Sequence, residues 1–430
     1  MDERINPTSY LQEHTLETDL AGEKIHIITR PGFPDWDRVT QATELLVDRA
    51  LLGSNERVLV FPCGHGALGV WAARCVGASR VFLRDTNIIA ARVARRTCDA
   101  NDCQAVDVAA ALPEPDSVEV ALVTLPKGRD FARLVLLSAA RALVRGGRLY
   151  LAGANRAGIK SVARDVEALL GPGRLLGYKG GHRAFLFTAS APTEDALLPD
   201  IFAEPGIPQG TYHQIEAMVG GNGEAQIYRL DTRPGIFSWE HLDPGTALLL
   251  NVVRPAPDER LLDAGCGYGI LGIHLGLQAS HGETTLVDTD ILAIECARRN
   301  VGRYGPQNAR LLLEDVIHVL DAGPYTLIVS NPPFHSGQDV RVDMTYALIH
   351  GAYEALLRNG RLVLVANRFL PYRIAMEARF GNVITLAATG QYHVLEARKL
   401  HRRGSRREAR ARQTQGDQPI YESRKFTQNS

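Results

Sequence analysis

At 430 residues with 45% hydrophobic side chains, the chain has material for two or three cores, which excludes a fibrous or disordered polymer. Lys and Arg (48) balance Asp and Glu (48), so the molecule as a whole does not advertise a nucleic-acid partner, and any such affinity must come from local basic surface. Six cysteines without a CxxC pair or His/Cys metal spacing are expected to be reduced, buried thiols. The amino terminus lacks an apolar signal core and no apolar run approaches about 18 residues, so a cytoplasmic protein is expected.

In chain order, Val58-Leu59-Val60-Phe61, Val81-Phe82-Leu83, Val118 to Thr124 and Arg148 to Leu151 are strand-like, and Phe131 to Val144 has helical length with a glycine stop at Gly146-Gly147. Residues 191–223 are rich in Pro and Gly and read as a linker, with a short helix from Tyr212 to Met218. The second half opens with Thr232-Arg233-Pro234-Gly235, then Arg260-Leu261-Leu262-Asp263-Ala264-Gly265-Cys266-Gly267, an apolar strand breaking into a glycine-rich turn that opens a helix. A second strand ends in Asp288, 23 residues after the first glycine (288 − 265), a spacing that suits a carboxylate accepting from ribose hydroxyls. A third, Leu311-Leu312-Leu313, ends in Glu314-Asp315. A helix from about Val342 to Leu357, the Asn359-Gly360 turn, a strand at Leu362 to Val365 and an antiparallel end (Val383 to Leu386, Tyr392 to Ala397) complete this half. After Lys399 six arginines crowd between 402 and 412, and a polar tail runs to Ser430. Such a tail can fold on RNA or remain disordered.

Laying the halves on each other gives a constant offset of 203 (232 − 29, 239 − 36, 266 − 63, 288 − 85) over some seventy residues. A duplicated α/β fold is expected, two tandem Rossmann-like domains, each a mostly parallel doubly wound sheet with an antiparallel end. The halves differ where chemistry belongs: Asp263 is answered by Val60, Gly265 by Pro62, and Asn331-Pro332 by Leu125-Pro126. A proline where close backbone approach is needed obstructs a cofactor. The expected domains are therefore 1–190, degenerate and non-catalytic; 191–223, linker; 224–400, catalytic; and 401–430, basic tail. Lys127, Arg129, Arg156 and Lys160 fall near strand-end loops, where they can meet phosphates or serve as ordinary solvated charges.

The run Asn331-Pro332-Pro333-Phe334-His335-Ser336-Gly337 follows the apolar segment Leu327 to Ser330, where a buried strand ends. An exocyclic amine on a nucleobase is a weak nucleophile because its lone pair is delocalised into the ring. Two acceptors in its plane favour attack through nitrogen: the Asn331 side-chain oxygen and the Pro332 carbonyl, held by a ring that fixes φ. Phe334 offers a flat face for the base.

Together these motifs resemble the class I S-adenosylmethionine-dependent methyltransferases. More narrowly, Asn-Pro-Pro-Phe-His-x-Gly is similar to the ribosomal RNA guanine-N2 methyltransferases, the small-subunit methyltransferase C family and its large-subunit relative. The resemblance implies S-adenosyl-L-methionine as cofactor, with Asp263, Gly265 and Gly267 around its methionine part, Asp288 on its ribose, Asp315 near its adenine amine, and Asn331 between cofactor and substrate. Asn331 and Pro332 then receive the target amine and Phe334 stacks on the base. The implied partner is ribosomal RNA or a ribosomal subunit, with no membrane and no metal; a monomer suits the chain. Methyl transfer is direct and needs no Cys or His nucleophile, so proximity supplies most of the acceleration. His335 is either a phosphate contact or a loop residue, and Glu314 a solvated neighbour of Asp315. The rival substrates are guanine N2 of large-subunit RNA, adenine N6 and a glutamine side-chain amide. From another class, a non-catalytic RNA-binding assembly factor explains the basic tail but not an intact site beside a decayed one.

Overall fold

The computed structural model describes residues 10–191, 193, 197–220, 225–332, 335–336, 339–340 and 343–400. The Val- and Leu-rich runs form two seven-stranded sheets with the same strand order. In the N-terminal half the order is Asp107–Ala110, Val81–Asp85, Val58–Val60, Val118–Thr124, Leu143–Ala154, His182–Thr188, Arg174–Lys179. In the C-terminal half it is Ala309–Leu313, Thr284–Asp288, Leu261–Ala264, Tyr325–Ser330, Leu356–Asn367, Tyr392–Arg398, Ile384–Ala388. Five strands in each sheet run parallel, and the last two are joined by antiparallel pairing, with only Tyr392–Arg398 and His182–Thr188 reversed. The parallel strands are buried on both faces, which is why they read as continuous apolar runs without alternation. The order reverses beside Leu261–Ala264, so the glycine turn leaves the sheet at the crevice where such folds take their ligands.

A hairpin precedes each sheet: His14–Leu20 with Glu23–Thr29, and His213–Val219 with Gln226–Thr232. The second hairpin corrects the helix expected from Tyr212 to Met218, since His213–Val219 is a strand. Ile215, Ala217 and Val219 are buried while Gln214, Glu216 and Met218 are exposed, a period of two that suits a pleated strand. The second long helix starts at Arg129 and ends at Ala142, so the strand begins before Gly146, whose φ of +79° is accommodated inside it.

The halves share cores. Tyr10, Phe33, Ile89, Ala90 and Val93 join the buried cluster around Leu262, Ile317 and Tyr346, and Leu134 joins the one around Leu249, Leu261 and Val329. Between them Asn87 and Asp290, 203 residues apart, form an antiparallel bridge. Ile88 N donates to Thr289 O (2.8 Å) and Ile291 N to Thr86 O (2.9 Å), a near-symmetric pair. Each bridge residue also caps the helix that follows it: Asn87 accepts from Ile89 N and Ala90 N, Asp290 from Leu292 N. The caps that start these helices thus also seat the two halves on each other. No helix among the described residues is long and apolar enough to cross a membrane. All six cysteines are free and five are buried; Cys75 is exposed, against expectation.

Candidate active site

The turn after Leu261–Ala264 places three glycines at positive φ: Gly265 (+76°), Gly267 (+54°) and Gly269 (+91°). A Cβ at Gly265 would meet nothing within 4 Å, so the backbone there faces open space, the requirement for a ligand to approach the main chain. At Gly272 it would lie 2.5 Å from Leu286, so that glycine serves packing of the helix on its neighbouring strand. Gly267 N donates to Asp288 Oδ2 (2.9 Å) and Asp290 N to Asp288 Oδ1 (3.0 Å), fixing the second-strand carboxylate at the lip of the turn. Burial raises the Asp288 carboxyl above its usual range.

Asp263 is fully buried and braces the turn from behind, its Oδ2 accepting from Gly272 N at 2.8 Å. Its Oδ1 has no hydrogen-bond partner among the described residues. Burial pushes this carboxyl up to about 7, against the bond from Gly272, with the Asp288 charge adding to the rise.

Asn331 sits at the end of Tyr325–Ser330. Its Nδ2 donates to Asp243 Oδ2 (2.9 Å) and to Thr246 Oγ1 (2.8 Å). A carboxylate only accepts, so the NH2 group must face Asp243, which turns the amide oxygen the other way. Asp243 also accepts from Thr246 N (2.8 Å) as the cap of Pro244–Val252, with Pro244 opening that helix. In the Leu242-Asp243-Pro244-Gly245 run it is this carboxylate that orients the amide.

These elements enclose a cavity of about 420 Å³ lined by Gly265, Gly267, Asp288, Asp315, Asn331 and Pro332, all of them sequence candidates. Asp263 is absent from its wall. Phe334, with Pro333 and Gly337, lies outside the described residues, as does the basic tail. Further wall residues were not among the sequence candidates for the site: Phe237, 55% exposed, and Tyr10, Pro31, Gly32 and Phe33 of the N-terminal half. Glu314 is on the wall too and is paired: Arg92 Nη2 donates to its Oε2 (2.7 Å), and that guanidinium holds the carboxyl down at about 2. The solvated-neighbour reading of Glu314 is thereby corrected. Among the described residues no group of His, Cys, Asp and Glu is placed to hold a metal ion.

The matching place in the N-terminal half is a cavity of about 320 Å³. Gly64 N still donates to Asp85 Oδ2 (3.1 Å) there, but Pro62, Leu125 and Pro126 stand on the wall. The candidate phosphate contacts Lys127, Arg129, Arg156 and Lys160 are all exposed, and Arg129 is also paired with Asp165 (2.7 and 3.0 Å).

A parallel sheet with an open glycine turn, a backbone-held acid on the next strand and an oriented amide beside a nucleoside-sized cavity defines a methyltransferase of the S-adenosylmethionine-dependent class. The comparisons agree. Residues 227–396 match the family model described as "Methyltransferase small domain" and residues 86–176 "Methyltransferase small domain N-terminal". Ribosomal RNA small subunit methyltransferase C of Pseudomonas aeruginosa (strain LESB58) is 33% identical over 281 residues, 65% of this chain and 79% of that protein. Its namesake from Alteromonas mediterranea is 30% identical over 276 residues, 64% and 72% of the two chains. A solved structure, the Thermus thermophilus 16S rRNA N2 G1207 methyltransferase (RsmC) in complex with AdoMet and guanosine, superposes with a TM-score of 0.73. It is 26% identical, and the match covers 92% of this chain and all of that one. The chain belongs to the ribosomal RNA small subunit methyltransferase C family, and its cofactor is S-adenosylmethionine.

Proposed function

We propose that this enzyme methylates the exocyclic N2 of a guanine in small-subunit ribosomal RNA, and that its halves are tandem copies of one fold of which only the second reacts. The observation that carries the reading is the Asn331 amide, pinned through Nδ2 so that its oxygen is free to accept on the cavity wall beside Pro332. The strand His213–Val219 moves the proposed start of the catalytic copy forward from 224 to its hairpin.

S-adenosylmethionine, when bound, supplies an electrophilic methyl on a sulfonium. Gly265 and Gly267 would let it reach the backbone, and Asp288 would accept from its ribose. Asp263, behind the turn, would favour its cationic methionine end, and Asp315 would border its adenine. The Asn331 oxygen and the Pro332 carbonyl would hold the two N–H bonds of the amine, which localises the lone pair on nitrogen and sets its direction. Phe334 is assigned the stacking face. A base held this way must be single-stranded or flipped from its helix. The names of the relatives and the guanosine in the Thermus thermophilus complex support the choice of guanine and of the small subunit.

The test incubates the purified chain with methyl-labelled S-adenosylmethionine and ribosomal RNA, free and in subunits, and digests the product to nucleosides. Label is expected in N2-methylguanosine from small-subunit RNA. Label in N6-methyladenosine, in large-subunit RNA or in protein overturns the substrate, and no transfer to any of them favours an assembly factor.

A further inference from the structure

The N-terminal half meets the cofactor cavity at one buried charge. Arg30 Nη2 donates to Asp315 Oδ2 at 2.7 Å, with the carboxylate fully enclosed and the arginine side chain 10% exposed. The other Asp315 oxygen accepts from Ile317 N (3.1 Å) and so caps the helix Val316–Asp321. The guanidinium lies over the Tyr10 ring, 5.4 Å from its centroid, and Tyr10 is itself on the cavity wall. Burial raises the Tyr10 phenol and the Asp315 charge raises it further, so this hydroxyl stays protonated as a donor beside the acid.

The contact is one-sided. The Thr-Arg-Pro-Gly turn occurs in both halves, but Arg233 points at the carbonyls of Gly206, Ile207 and Pro208 and at Glu295. The residue 203 before Asp315 is Leu112, which offers no charge. Arg30 Nη1 has no hydrogen-bond partner among the described residues, an arrangement that serves stability poorly, since an unmatched buried donor is a cost and a buried ion pair is often no better than an apolar contact. Its geometric effect is clear: it fixes the acid, and through the cap it fixes the Glu314-Asp315-Val316 segment of the wall.

We propose that Arg30 and Tyr10 are positioning residues of the cofactor site, by which the half without chemistry sets the shape of the cavity wall around Asp315. This rests on the reading of that cavity as the S-adenosylmethionine site. It makes cofactor affinity a property of both halves beyond their shared folding.

The test is calorimetric titration of the full chain, without RNA, with S-adenosylmethionine and with adenosine. Arg30→Met is expected to raise both dissociation constants about tenfold, the size of a lost support to a ligand-holding group. Arg30→Lys recovers part of the loss, Tyr10→Phe loses less, and KM for RNA stays unchanged. Leu134→Ala, which empties a buried contact elsewhere between the halves, should lower Tm and leave both constants alone. Wild-type affinity in Arg30→Met, Arg30→Lys and Tyr10→Phe overturns the proposal. If Asp315→Asn weakens binding while the three variants do not, this inference falls alone; a wild-type chain that does not bind S-adenosylmethionine removes the reading of the cavity and the inference with it.

Discussion

The two halves keep the same strand order, and three of the positions at which they differ fall where the candidate site lies. Gly64 and Gly267 share φ (+53° and +54°), as do Gly66 and Gly269 (+87° and +91°). Ile28 N is held by Thr97 and Asp231 N by Asn300, again 203 apart, so each hairpin is fastened to its long helix in the same way. What the N-terminal half lacks is the open backbone at Gly265, the acid at Asp263 and the amide at Asn331. Pro62, Val60 and Leu125 fill those places and cost the fold nothing visible, since Val60 is as buried as the acid it answers. Packing tolerates the exchange, and the proposed chemistry needs the residues it removes.

The largest test of this contrast is Asn331→Ala against Leu125→Ala. Removing the amide should lower kcat by about a thousandfold, in the range seen for a donor or acceptor aimed at the reacting atoms, with the cofactor dissociation constant little changed. Leu125→Ala should leave kcat alone and cost only stability. Single-turnover methylation rates decide the matter, and comparable losses in the two variants would erase the distinction between the halves. Next in size is Asp288→Asn against Asp85→Asn. Both acids accept from a glycine N–H and the next turn, yet only the first faces the larger cavity. Loss of the charged acceptor should raise the cofactor dissociation constant roughly 10- to 100-fold, as expected for a hydrogen bond to a charged group. A similar weakening by Asp85→Asn would mean that the N-terminal cavity holds the cofactor as well.

A smaller effect sharpens the comparison at one helix start. Thr40 caps Gln41–Arg49 through Thr43 N, as Asp243 caps Pro244–Val252 through Thr246 N, at the same offset. Only Asp243 has an amide to orient. Asp243→Ala should therefore cost about 1 kcal/mol of cap and also lower kcat about tenfold, whereas Thr40→Ala should cost the cap alone. Equal kcat in the two variants would sink the orienting role.

The skeleton was legible in the sequence because long apolar runs, glycine stops and a fixed offset are one-dimensional signals. So were Gly265, Asp288 and Asn331, which announce themselves by spacing. The strand at His213–Val219 was hidden by its Pro- and Gly-rich surroundings, although its alternation of Ile215, Ala217 and Val219 is plain once the pairing is known. The pairs Arg30 with Asp315 and Arg92 with Glu314 join residues 285 and 222 apart, and nothing local marks an arginine for a distant acid. Asp243 both caps its helix and orients the amide, and neither role was singled out in the sequence. Arg129 is paired with Asp165, a partner that lies one helix on, and no local signal marks that pairing.

The last expected effect concerns stability against pH and leaves the chemistry aside. Asp263 is held protonated up to about 7 in the folded chain, against an ordinary value of 3.8, and Val60 gives the N-terminal half nothing comparable at that place. Between those values the folded state keeps a proton that the unfolded state releases, so stability is full below about 4 and declines as pH rises through about 7. Asp290, raised to about 7, and Asp85, raised to about 6, add to the same slope, while burial lowers His65, His274, His350 and His393 and gives them a slope of opposite sign, so the test is the difference between variants. Asp263→Asn removes one of these groups and should flatten the decline by at most about one proton, or ~1.4 kcal/mol per pH unit. Val60 is the control, since Val60→Ala should lower Tm by the same amount at every pH. If the Tm values of Asp263→Asn and the unaltered chain change in parallel from pH 5 to pH 8, the carboxyl is ionised in the fold, and the oxygen that lacks a partner among the described residues must be met by another donor in solution.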